Sequence, residues 1–169
     1  MPVKTKIACF YRQLYRQGSP RGKRRKRGEL AQDIGRSRKG RTSKVHAVVD
    51  ESERPRCLII TGGQVHDRQM MIDLWDDAGK SSAVVADKAY NANAIRKRIA
   101  DQGALAVIPT KSNAKNPIPH DKRLYRMRNI VDQFFCTMKD MRRLTTRSEK
   151  LSSNVLAMVH IFAIRLWVN

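Results

Sequence analysis

Apolar positions Ile130, Val131, Phe134, Phe135, Met138 and Met141 recur at steps of three and four, which predicts one helix from Leu124 to Arg143. A last helix is predicted to start near Ser152 or Ser153 and to bury Val155, Leu156, Val159, Phe162, Ile164 and Trp167. Upstream the period shortens to two. Val45, Ala47 and Val49 alternate with Lys44, His46 and Val48, then ESERP turns the chain into RCLIIT from Arg56. That is the pattern of a β-hairpin of half-buried strands. Gly62-Gly63 ends it, and a helical pattern follows through Met70, Met71, Leu74 and Trp75, with Asp67 as predicted N-cap. SSAVVADKAY and ALAVIP are short continuous apolar runs, the form of strands covered on both faces, and the first ends in the carboxylate of Asp87. Between them Ile95 and Ile99 mark the inner face of a helix, capped by Asn91 or Asn93 and stopped at Gly103. Strands alternating with helices predict an α/β fold.

The first third of the chain is less regular. VKTKIACFYRQLY fits a strand or a helical turn or two, and periodicity does not decide between them. SPRGKRRKRG, from Ser19 to Gly28, is a block of like charge broken by glycine and proline, so residues 1–34 are read as a basic, largely disordered segment before a domain at 35–169. GRSRKGRTSK reads as a basic loop. No internal repeat is present.

Charge narrows the partners. Thirty-five Lys and Arg against fifteen Asp and Glu leave a formal charge of +20 over 169 residues, the footprint of a protein that meets a polyanion, nucleic acid first among them. A ribosomal or chromatin-type protein shares that charge, so it names a partner and not an activity. Cys9, Cys57 and Cys136 lie far apart with no CxxC pair, which suits a reducing cytoplasm better than a disulfide framework or a zinc site. No signal peptide is visible. The run from Val155 to Val168 is interrupted by His160 and Arg165 and is too short to span a bilayer, so no membrane partner is expected.

Candidate chemistry sits on the 124–143 stretch. Tyr125, Arg128, Asp132 and Lys139 follow one another at steps of three, four and seven, which return to one side of a helix. A carboxylate flanked by a phenol, a guanidinium and an ammonium suits phosphate chemistry, the acid holding a metal ion and the cations a charged backbone. Taken alone, such a face reads more readily as a solvated surface with incidental ion pairs.

These residues also match a known signature. Y-x-x-R-x-x-x-E-x-x-x-x-x-x-K marks the bacterial insertion-sequence transposases of the four/five superfamily, and the chain resembles that family with Asp132 where the family has Glu. Further similar pieces fall in the family's order: GRSRKGRTSKVHAVVD from Gly35, TGGQVHD from Thr61, VVADKAY from Val84, VIPTKSN from Val107 and PIPHDKRLYRMRN from Pro117. The resemblance covers about Gly35 to Asn169. It implies a ribonuclease-H-like mixed sheet flanked by helices, with a C-terminal helical pair. It also implies metal-dependent cleavage and strand transfer at insertion-sequence ends. The family places an Asp on the first strand, an Asp on the fourth and a Glu on a late helix around two divalent ions. By motif Asp87 matches the second acid and Asp132 the third, so both are the expected catalytic and magnesium ligands. Tyr125, Arg128 and Lys139 are the expected contacts to DNA, with Arg142 and Arg143 extending the track. The implied partners are the terminal inverted repeats and a second transposase chain, in a bacterial cytoplasm at the nucleoid.

Two departures shape the expectation of activity. The family's first Asp lies some way before the GRSR loop, and here no acid precedes Glu29. Asp132 is also shorter than Glu by one methylene. The first strand is therefore expected to be missing, and the chain to be a truncated or frameshifted transposase that binds DNA with little or no activity alone. The alternative is a non-enzymatic basic DNA-binding protein or transposition inhibitor. Asp50 ends a strand but belongs by position to the second one, and is left unassigned. Asp67 and His66 are read as cap and turn residues, and His46 as a packed or surface histidine.

Overall fold

The computed structural model describes residues 6–15, 35–37, 40–114, 116–146, 149 and 151–168, with backbone alone at 6–15, 36, 37, 40, 41, 67 and 68. Its centre is a mixed β-sheet. The hairpin read from the alternation is present as β3 (Gly40–Asp50) and β4 (Pro55–Gly62), antiparallel and closed by a turn in which Glu53 takes a φ of 60°. Before it, β2 (Gly35–Ser37) pairs antiparallel with the start of β3, so the described ends of the basic stretch read as a loop are strand. Two short parallel strands, β5 (Ala83–Val85) and β6 (Leu105–Val107), correspond to the two continuous apolar runs.

The expected gap in the sheet is filled. Residues Lys6–Tyr15 form β1, antiparallel to β3 over its length and parallel to β5 at Lys6–Val84 and Ile7–Val85. The first strand is therefore present and central, and the folded sheet begins inside the segment expected to precede the domain. The pattern hid it for a physical reason. The register with β3 shifts between Phe10 and Arg12, a bulge that breaks the two-residue period half-way along the strand. The expectation of disorder for the basic block at Ser19 to Gly28 lies outside the described residues.

Helices cover both faces. On one, α1 (Asp67–Asp77) and α2 (Asn93–Asp101) enclose Val48, Met71, Leu74, Trp75, Val84, Ala86, Ile95, Ile99 and Ile108. On the other, α4 (Asn129–Asp140), α5 (Arg142–Thr145) and α6 (Ser152–Val168) enclose Val45, Ala47, Val49, Val85, Val131, Phe134, Met138, Leu144, Val159 and Phe162. The odd and even residues of β3 and β5 thus go to opposite layers, as the pleat requires. The cover on the α1 side, the face that Val48 shares, explains why Lys44 and His46, expected on a half-exposed strand, are buried. The architecture is mixed α/β.

Several local expectations change. The N-cap of α1 is His66 and that of α2 is Ala92, neither with a side-chain cap bond, so Asp67, Asn91 and Asn93 do not occupy the cap position. Gly103 does stop α2, at φ 74°. On α6, Val155, Val159 and Phe162 are buried, but Ile164 is 61 % exposed and Trp167 43 %. The helix meets the sheet along one stripe only, and Ile164 lies off it. Trp167 instead reaches the hairpin turn, where its indole N–H donates to the Pro55 carbonyl at 3.1 Å and the Arg54 and Arg56 guanidinium carbons lie 5.4 and 5.0 Å from the ring centroid. No helix is long and apolar enough to cross a membrane among the described residues.

Candidate functional site

Asp87 stands two residues beyond β5, half-buried, at the head of a 3-10 turn formed by Lys88–Tyr90. It makes no side-chain cap bond to that turn, so capping does not account for it. The residue opens instead on a cavity of about 990 Å³ lined by His66, Lys88, Tyr90, Lys111, Ser112 and Asn113. The cavity lies at the carboxyl ends of β5 and β6, which stay side by side there because the Ala86 amide donates to the Val107 carbonyl at 3.2 Å. In parallel sheets this edge is where ligands are commonly bound. Arg96 ties the two walls together: its Nε donates to Asn91 Oδ1 at 2.8 Å and its Nη2 to the Ile108 carbonyl. Burial lowers the Arg96 pKa from its ordinary value.

The other expected residues lie on a stretch that is not one helix. Asp121 caps a short α3 (Lys122–Arg126), its Oδ1 accepting from the Arg123 and Leu124 amides at 2.7 and 3.2 Å. The amides of Met127, Arg128, Ile130 and Val131 then bond three residues back, a tightened segment that separates α3 from α4. Met141, at ψ 85°, breaks the chain again before α5. Tyr125 therefore sits on α3 and Asp132 in the first turn of α4. Tyr125 packs against the α4–α6 core and meets His120 edge-on, with centroids 5.3 Å apart.

Arg128 and Asp132 are brought together, Nη2 to Oδ2 at 2.8 Å. Lys139 Nζ donates to Cys136 Sγ at 3.6 Å. Arg142 and Arg143 are exposed on α5, the latter 3.4 Å from Glu149. Asp132 is not among the described residues lining the cavity beside Asp87. Among the described residues no group of three His, Cys, Asp or Glu is placed to hold a metal ion. With one Asp132 oxygen held by Arg128, this donor set does not fit a two-metal centre, which needs several hard oxygen ligands around a pair of ions.

A third acid could come from β1, which runs beside β5. Ile7 is paired with Val85, so the residues of β1 next along the chain, Ala8, Cys9 and Phe10, follow the backbone that leads to Asp87. None of the ten residues of β1 is an acid.

Asp50 is committed elsewhere. Its Oδ1 accepts from the Ser52 and Arg54 amides at 2.9 and 3.0 Å, and its Oδ2 from Arg56 Nη2 at 3.0 Å. It is fully buried and closes the β3–β4 turn. Asp50→Ala is expected to destabilise the domain by about 2 kcal/mol, since it strips charge-assisted bonds from the turn while Arg56 stays wet. A urea midpoint equal to wild type would count against that role.

The profile of the family described as "Transposase DDE domain" matches residues 13–167. The chain belongs to that family. Two relatives agree. The transposase domain is 31% identical over 131 residues to the Brucella ovis protein named "Putative transposase for insertion sequence element IS6501", covering 75% of this chain and 98% of that one. It is 29% identical over 119 residues to the Burkholderia cepacia protein named "Putative transposase for insertion sequence element IS402", covering 64% of this chain and 54% of that one. No solved structure matches.

Sequence reasoning missed Lys88, Lys111, Ser112, Asn113 and the Arg96 tie of this transposase domain. A signal was there: ADKAY and IPTKSN are both short stretches following a buried strand, so two parallel strands deliver their lysines to the same edge. His66, read as a turn residue, occupies the cap position but also lines the cavity.

Proposed function

We propose that this chain is a DNA-binding transposase domain of ribonuclease-H-like type that recognises insertion-sequence ends and is catalytically silent on its own. One observation carries the reading: β1 takes the central place beside β5 but has no carboxylate to set next to Asp87. Order of strands supports the fold type, since β4, β3, β1, β5 and β6 succeed one another across the sheet, with β3 alone of these running antiparallel to β1. In this reading magnesium, the family's expected cofactor, is not held in a productive pair by Asp87 and Asp132. What remains is electrostatic. Lys139, Arg142 and Arg143 meet phosphates together with Arg128, which also holds Asp132. Tyr125 supports this face from α3. A second chain completes neither acid in this proposal, and the basic surface binds DNA without one.

The test is salt dependence. Affinity for a duplex bearing the terminal repeats should fall steeply with salt, with a slope of about −0.9 for each phosphate contact. Lys139→Ala and Arg142→Ala should each flatten that slope by about one unit. Binding that ignores ionic strength would remove the basis of the reading.

A further inference from the structure

The cavity beside Asp87 is lined as an anion site rather than a cation site, and we propose that it binds a phosphate group of DNA directly, without a bridging metal, through Lys88 and Lys111. The inference rests on the DNA-binding reading above and assigns a ligand chemistry to the cavity. Two lysines and one aspartate line the opening, so the cavity walls carry a surplus of positive charge. Among the described residues no ion pair engages either lysine. Ser112, Asn113 and His66 add hydrogen-bonding groups to the same walls, and a phosphate oxygen accepts from any of them.

The acids point the same way. A divalent ion needs a concentration of carboxylate oxygen, and the described residues supply no three-ligand group. Asp132 is bonded to Arg128, and β1 brings no acid to this edge. With the family's first carboxylate absent, the sign of the cavity is set by its lysines. A volume of about 990 Å³ admits a whole nucleotide and not merely an ion. A terminal phosphate is the best match, because a dianion on a free end carries more charge than a diester and is not confined by a following nucleotide.

Arg96 is the positioning residue. One of its bonds holds Asn91, just after the Lys88–Tyr90 turn, and the other holds Ile108, just before the segment bearing Lys111. It fixes the spacing between the two lysine-bearing walls without lining the cavity itself.

The role of Asp87 distinguishes the two chemistries by sign. If Asp87 held a metal that bridged to phosphate, Asp87→Asn would weaken binding. If phosphate meets the lysines directly, the carboxylate repels it and Asp87→Asn strengthens binding. The experiment uses the full chain in EDTA and two probes. The first is inorganic pyrophosphate, read by mass spectrometry as protection of Lys88 and Lys111 from acetylation. The second is a short fluorescent duplex ending in either a 5′-phosphate or a 5′-hydroxyl.

Pyrophosphate is expected to protect both lysines, and the phosphorylated duplex to bind about fivefold tighter than the hydroxyl-ended one, the scale of one exposed ion pair. Lys88→Ala or Lys111→Ala should erase that preference. Asp87→Asn should enlarge it. Arg96→Ala should reduce protection of both lysines, and Arg96→Lys should restore part of it, which a general loss of fold would not do. Absence of protection by pyrophosphate, or weaker binding by Asp87→Asn in EDTA, overturns the anion site. Protection by pyrophosphate with no binding of either duplex would uphold the site and instead overturn the DNA-binding reading.

Discussion

With magnesium or manganese present, the wild-type chain is expected to leave an insertion-sequence-end duplex un-nicked, and Asp132→Glu alone is expected not to change that. Glu would extend the reach of the late-helix acid by about 1.5 Å, and a misplacement on the order of 1 Å can cost about a hundredfold in rate. Reach is the lesser defect. On the function proposed above, the ligand that is lacking is the one beside Asp87, and a single side chain on α4 does not supply it. Cys9 is the position to change. Ile7 pairs with Val85, so two residues on from each come Cys9 on β1 and Asp87 just past the end of the parallel strand β5. Cys9→Asp together with Asp132→Glu should raise metal-dependent nicking at least about a hundredfold above the wild-type background, as expected for correcting geometry at a reacting centre. A gel assay on a labelled end measures both results. Nicking by the unmodified chain that is lost in Asp87→Ala would show that some other acid already completes the centre.

Acidification is expected to weaken the fold through a single residue. His46 is wholly buried on β3, its Nε2 2.7 Å from Thr61 Oγ1, and its Nδ1 has no partner among the described residues. Burial, with Lys44 nearby adding to it, lowers the His46 pKa from 6.5 to about 4. Between those values the unfolded chain binds a proton that the folded chain refuses, so stability rises with pH through this window. The contribution is complete above 6.5 and drains away as pH falls toward 4, a cumulative loss of about 3 kcal/mol across the window. Urea midpoints measured across that range should show the decline, and His46→Asn should remove most of it. An unchanged slope in the variant would assign the acid sensitivity to other groups.

The readable parts of the sequence were those in which one period runs unbroken. Alternation from Lys44 to Val49 gave the β3–β4 hairpin, and the apolar run at Ala83–Val85 gave a covered strand with Asp87 beyond its end. The Ser152 start of α6 was legible for the same reason. Where the period is interrupted, the reading failed. A bulge near Tyr11 disguised β1, and backbone bonds to the third residue back split a regular apolar spacing into α3 and α4. No proline or glycine marks that split, so nothing in residues 122–145 announces it. Ile164 and Trp167 were placed inside because apolar character was taken for burial, although a helix resting on one layer shelters only the stripe that faces it. The candidate site was half legible. Spacing brought Arg128 next to Asp132, as observed, but the lysines around Asp87 converge through strand order, which local patterns do not encode.

The central position of β1 also fixes the order in which this sheet can assemble. Its neighbours are β3 and β5, both later in the chain, so the strand that comes first has no pairing partner until residue 40 and no second edge until residue 83. The β3–β4 hairpin, closed by four residues, can form locally on a timescale of about 1–10 μs. Joining β1 to β5 requires closing a long loop first, and such non-local parallel pairing belongs to the slow end of single-domain folding. Until it closes, KIACFYRQLY waits as an uncovered strand within a strongly cationic chain. Refolding should therefore be limited by a late docking of the first strand, and the waiting species is the one that sticks to other copies when protein concentration is raised.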